Sequence, residues 1–147
     1  MTFAVLETPR TGGDLFQQVT LVWLLLAFPI GVALCFINAP YGRHTTKLGP
    51  TIPARAGWFV MESPSVLVMT GLFVVGDAWH SSVLIVFLFV WLAHYINRAW
   101  GYPFQLSRDS TPLPLLIMSL GVAFNCINAT LNGAWLFLER PAPGMDW

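Results

Sequence analysis

Glu62 and Tyr95 are the residues of this chain whose types and placement could do chemistry together. Glu62 falls inside Pro53-Ala-Arg-Ala-Gly-Trp-Phe-Val-Met-Glu-Ser-Pro-Ser65, in a segment that otherwise reads as buried in lipid. A charged carboxylate at the centre of a membrane helix costs on the order of 2.5 to 3.5 kcal/mol on insertion scales, so such an acid points to a site with a partner. Tyr95 is the expected partner: about a chain reversal near Asp77 to Trp79, the two residues are equidistant and fall at the same depth. Glu62 then lies about one turn, roughly 6 Å at 1.5 Å per residue, inside the cytoplasmic end of its span. A carboxyl and a phenol could meet there, in a cavity open to the cytoplasm.

Pro64 supports this placement, because its ring leaves the carbonyl of Val60 without a helical donor, and inside a membrane such a defect must face protein or water. The alternative is that Glu62 reaches back to the interface and Pro64 only bends the helix. Further along, Asn125, Asn128 and Asn132 recur at i, i+3 and i+7, which sets three amides on one helix face, expected to look inward. Hydrogen bonding between packed helices is the other common use of membrane asparagines. Arg98, Tyr102 and Arg108 could hold the phosphates of a nucleotide, or serve as positive anchors at the membrane surface.

The elements that must position these residues are membrane spans. The chain is 56% hydrophobic and 10% charged over 147 residues, with its apolar residues in long runs. Crossing about 30 Å of hydrocarbon takes roughly 20 helical residues. Four segments come close, at about 16–37, 58–76, 80–97 and 113–138, and predict an all-α polytopic transmembrane bundle, with 1–147 as a single domain. Pro29 is expected to bend the first span, and Pro112 and Pro114 to open the fourth. The first run follows Arg10 and Asp14, is longer than a signal core and precedes no clear cleavage pattern, so it reads as a helix.

Loops at 38–57 and 98–112 carry Arg43, Lys47, Arg55, Arg98 and Arg108, against Arg10 and Arg140 on the other side. Five against two puts those loops in the cytoplasm and the N-terminus outside, in periplasm or lumen. A net charge of zero without a basic run argues against nucleic acid. Cys35 and Cys126 lie inside apolar segments, and His44, His80 and His94 are scattered, so neither a disulfide nor a metal site is expected.

Tyr41-Gly-Arg-His44, the Pro53 to Ser65 stretch and His94-Tyr-Ile-Asn-Arg98 resemble the steroid 5-alpha-reductase family, in order. Phe124-Asn-Cys-Ile-Asn-Ala-Thr-Leu-Asn-Gly133 is similar to that family's fourth helix. The resemblance implies a seven-helix membrane enzyme, of which four helices are present here, that uses NADPH to reduce the C4–C5 double bond of a 3-oxo-4-ene steroid or related enone lipid. It implies that Glu62 and Tyr95 hold the substrate carbonyl, and that Trp58 and Phe124 line the steroid pocket. Asn125 falls at a cofactor-contact position, and Arg98, Tyr102 and Arg108 match the cofactor-side loop. The family's last three helices have no counterpart in these residues, so the chain looks like the N-terminal half, and NADPH binding by these residues alone is expected to be weak or absent. A non-catalytic four-helix scaffold or lipid-binding fragment is the rival expectation.

Overall fold

The computed structural model describes residues 11–36 and 48–139. Arg10, the Asn38-Ala39-Pro40 end of the first span, the Tyr41 to His44 segment, Lys47 and Arg140 lie outside the described residues. Among the described residues, four helices are long and apolar enough to cross a membrane.

The chain divides into two compact units, Met1–Ile37 and Asn38–Trp147. The first unit holds α1, Thr11–Phe36, with Asp14 in its first turn and Pro29 inside. Its described side chains from Asp14 onward are all exposed or half-buried. Leu24, Leu25, Phe28 and Phe36 are among the large apolar ones presented outward, as a lipid-facing span requires.

In the second unit β1, Thr51–Ile52, leads through Pro53 into α2, Ala54–Val75. Pro53 lacks an amide proton and its φ is fixed near the helical value, so it opens α2 one turn earlier than the expected start at Trp58. Gly76 and Asp77 reverse the chain, Asp77 in the left-handed region at φ 47°, and a single tight turn spans Ala78–His80. Ser81 then caps α3, Ser82–Ile96, its hydroxyl accepting from the amide of Leu84 at 3.4 Å.

The expected polar loop from residue 98 onward is a correction. The helix continues through a wide π turn, Asn97–Gly101, into a short helix α4, Tyr102–Gln105. Only after Gln105 does the chain become irregular. It then forms β2, Leu113–Pro114, and α5, Leu115–Phe137. The two strands pair antiparallel, Thr51 opposite Pro114 and Ile52 opposite Leu113. This small ladder, absent from the all-helical expectation, ties the starts of α2 and α5 together, and Leu115 extends it by donating to the carbonyl of Pro50 at 2.9 Å.

The packing axis is α2 against α5. Buried positions of α2 recur at helical spacing through Gly57, Met61, Ser65, Met69 and Phe73, and those of α5 at every fourth residue, Asn125, Ala129, Gly133 and Phe137. Small residues allow this approach: a Cβ on Gly76 would run into the backbone carbonyl of Phe137. At that end the core is apolar, built of Met69, Phe73, Ala78 and Phe137. Phe73 sits edge-on to both Phe137 and Trp79, with centroids 5.2 and 4.7 Å apart. α3 has no fully buried residue and presents a nearly continuous apolar surface.

Candidate active site

Glu62 is 3% exposed, and its charge is met from α3's extension. Arg98, the second residue of the π turn, donates from Nη2 to Glu62 Oε1 at 2.6 Å. A buried carboxylate needs such a counter-charge, since an unpaired one carries a desolvation penalty of several kcal/mol. The same guanidinium lies over the Trp58 ring, 5.3 Å from its centroid. Trp58 in turn meets Tyr102 edge-on at 5.1 Å. Trp58, Glu62, Arg98 and Tyr102, four of the expected site residues, thus form one cluster where α2 meets the extension of α3.

Asn125 joins the cluster from α5. Its Nδ2 donates to the Met61 carbonyl at 2.8 Å and to Glu62 Oε2 at 3.4 Å, and its Oδ1 accepts from the Ser65 hydroxyl at 2.8 Å. Met61 is the residue three before Pro64, where a proline opens the helix and leaves carbonyls accessible. The Ser65 carbonyl accepts from Trp91 Nε1 at 3.1 Å, which ties α3 to the same level. Polar groups contributed by three helices are therefore hydrogen-bonded to one another in a level that is otherwise apolar, as burial demands.

Tyr95 is placed next to this network but not in it. Glu62 and Tyr95 are not hydrogen-bonded to each other. Tyr95 instead accepts from Asn128 Nδ2 at 3.4 Å, and its ring packs on Trp91 and His94, with centroids 4.7 and 5.0 Å away. It lines a cavity of about 510 Å³ together with Met69, Trp91, Asn132, Trp135 and Leu136. The three amides read as one face are thus divided in use: Asn125 is buried against Glu62 and Ser65, Asn128 reaches Tyr95, and Asn132 is exposed toward the cavity.

Two expected residues lie elsewhere. Phe124 is 51% exposed on α5. Arg108 lines a separate cleft of about 500 Å³ with Arg55, Ser107, Ser110 and Pro112. Arg55 donates from Nε to the Leu106 carbonyl at 3.0 Å, which fixes the segment after α4 against the start of α2. Sequence reading assigned Arg55 only to a basic loop and gave Ser65 no role; the Ser-Pro-Ser run beside a buried acid was the available signal for the latter. Cys35 and Cys126 are free thiols. Among the described residues no group of three or more His, Cys, Asp or Glu gathers as a metal site.

Fold and site together define a polytopic helical membrane protein with an ion-paired carboxylate between its spans. Over most of its length the chain is homologous to the steroid 5-alpha-reductases. It is 32% identical over 126 residues to steroid 5-alpha-reductase DET2 of Gossypium hirsutum, covering 83% of this chain and 49% of that protein. The DET2 protein of Arabidopsis thaliana is 35% identical over 128 residues, 82% of this chain and 48% of the relative. Human 3-oxo-5-alpha-steroid 4-dehydrogenase 2 is 31% identical over 113 residues, 73% of this chain and 44% of the relative. The chain spans about half the length of the curated relatives it matches. No family model matches it.

Proposed function

We propose that this chain carries the carbonyl-gripping part of a membrane-bound oxidoreductase that reduces the C4–C5 double bond of 3-oxo-4-ene steroids, or of a related enone lipid, with NADPH. The observation that carries this reading is the position of Tyr95, which lines a largely apolar cavity of about 510 Å³ and lies three residues before Arg98, the half-exposed partner of the buried Glu62. An enone lipid has a flat apolar body and an oxygen at one end. Met69, Trp91, Trp135 and Leu136 suit the body, and the Tyr95 hydroxyl suits the oxygen.

NADPH, when bound, supplies the hydride that adds to the enone's beta carbon. The chain's own residues answer the charge that this develops on the carbonyl oxygen. Tyr95 donates into that charge, and one such donor supplies about 2.7 to 4 kcal/mol of transition-state stabilisation. Glu62, balanced by Arg98, is assigned to the carbonyl end of the site by the family resemblance, as are Trp58 and Phe124 to the substrate surface, since none of the three lines the Tyr95 cavity. The cleft at Arg108 fits an anionic dinucleotide, because it sets two guanidiniums and two serine hydroxyls around one space. Tyr102, Asn125 and Arg98 are assigned to the cofactor by the family resemblance; none of them lines the Arg108 cleft, and the Asn125 amide and the Arg98 guanidinium are already hydrogen-bonded within the Glu62 cluster. In the membrane, the two polar loops face the cytoplasm and the N-terminus the opposite side. The pairing of β1 with β2 brings the ends of the two loops, just before α2 and α5, to the same end of those helices, and the count of Lys and Arg is what assigns that end to the cytoplasm.

A non-catalytic scaffold or lipid-binding role is the rival reading, favoured by an ion pair that is complete without any ligand. Reduction of progesterone by the complete protein with NADPH separates the two. In the enzyme, Glu62→Gln and Tyr95→Phe each collapse turnover. Unchanged turnover in both variants removes the catalytic assignment, and a scaffold shows no reduction before or after substitution.

A further inference from the structure

The amides of α5 form a directional relay that ends on the Tyr95 oxygen. It starts from a group that can only accept: the backbone carbonyl of Asn128, which takes a hydrogen bond from Asn132 Nδ2 at 2.8 Å. That bond fixes which end of the Asn132 amide faces Asn128. The same Nδ2 also donates to Asn128 Oδ1 at 3.2 Å, so the Asn128 amide turns its oxygen toward Asn132 and its nitrogen the other way. Asn128 Nδ2 therefore donates to the Tyr95 hydroxyl oxygen, at 3.4 Å.

A phenol carries one hydrogen to donate and lone pairs to accept with. Because Asn128 occupies a lone pair, the Tyr95 hydrogen remains unspent, and among the described residues no acceptor takes it. With the Asn128 amide reversed, its oxygen would capture that hydrogen and leave Tyr95 nothing to give a ligand. The Trp91 and His94 rings hold the Tyr95 ring in place but supply no partner for its hydroxyl.

We propose that Asn128, oriented by Asn132, is the positioning residue that keeps the Tyr95 hydroxyl hydrogen available to the cavity. This rests on the reading of Tyr95 as the group that donates to the substrate carbonyl. It goes further in assigning the polarity of that hydroxyl to two asparagines, Asn128, which does not line the cavity, and Asn132, which stands on its wall.

The test uses the complete protein in nanodiscs, with progesterone and NADPH, and tyrosine labelled at the ring carbon bearing the hydroxyl, the Tyr95 signal being assigned by its loss in Tyr95→Phe. Asn128→Ala is expected to lower kcat about 3- to 10-fold, the worth of one neutral hydrogen bond, with KM within about twofold. In a Tyr95→Phe background the same substitution is expected to change kcat no further. The Tyr95 carbon signal is expected to move in Asn128→Ala and, by less, in Asn132→Ala. An equal loss of kcat in both backgrounds would mean that Asn128 acts through packing, and would overturn the proposal. If the unsubstituted protein shows no turnover, the reductase reading fails by itself, and the carbon signal still decides: unmoved in Asn128→Ala, it overturns the proposed orientation, and moved, it upholds it.

Discussion

The two ends of the contact between α2 and α5 are held in different ways. Toward the Gly76 turn, Met69, Phe73 and Phe137 close an apolar core in which glycine lets backbone meet backbone. Toward the strand ladder, the same two helices are joined by Glu62, Ser65 and Asn125, with Arg98 and Trp91 reaching in from α3 and its extension. Shape alone suffices at the first end, because lipid and side chains are equally apolar and close approach decides the packing. The second end carries polar groups that a membrane protein bears a penalty to keep, so it is where a role beyond holding the helices together is to be sought.

The contrast can be broken most forcefully at Arg98. Arg98→Met leaves Glu62 buried without a counter-charge and is expected to cost about 3 to 5 kcal/mol of stability, read as a fall in the thermal midpoint in detergent. Adding Glu62→Gln to that variant should recover much of the loss. A double variant no more stable than Arg98→Met alone would show that the pair is not coupled.

At the apolar end, Gly76→Ala is expected to cost about 1 to 3 kcal/mol by overpacking against Phe137, while turnover per folded molecule stays the same. A specific loss of turnover there would erase the distinction between the two ends. The smallest effect belongs to the Arg108 cleft. Arg108→Ala should weaken NADPH binding by at most about 1 kcal/mol, roughly fivefold, since the residue is exposed. Titration at rising salt checks this, because the difference should shrink as screening increases.

The spans were legible because their apolar runs are long, and Glu62 stood out because burying it needs a reason. What escaped was the partner. Counting residues from the reversal put Tyr95 opposite Glu62, but an arginine side chain spans about a helical turn, and Arg98 reaches back along the helix to claim the carboxylate. The helical continuation through Asn97–Gly101 was hidden by its glycine and polar residues, together with Pro103 just beyond, which read as a loop by composition. Spacing did gather Asn125, Asn128 and Asn132 onto one side of α5. It could not show that they serve different partners, since that depends on how α2 and α3 approach. The strand ladder, with two residues on each side, is too short to leave a periodic signal.

In the proposed function the Tyr95 hydroxyl is the group that meets the substrate carbonyl. The most direct measurement is kcat for progesterone reduction by Tyr95→Phe beside the unsubstituted protein, with thermal midpoints recorded for both. A loss of roughly 100- to 1,000-fold in kcat at an unaltered midpoint is the predicted result. A variant that turns over at the unsubstituted rate would contradict it.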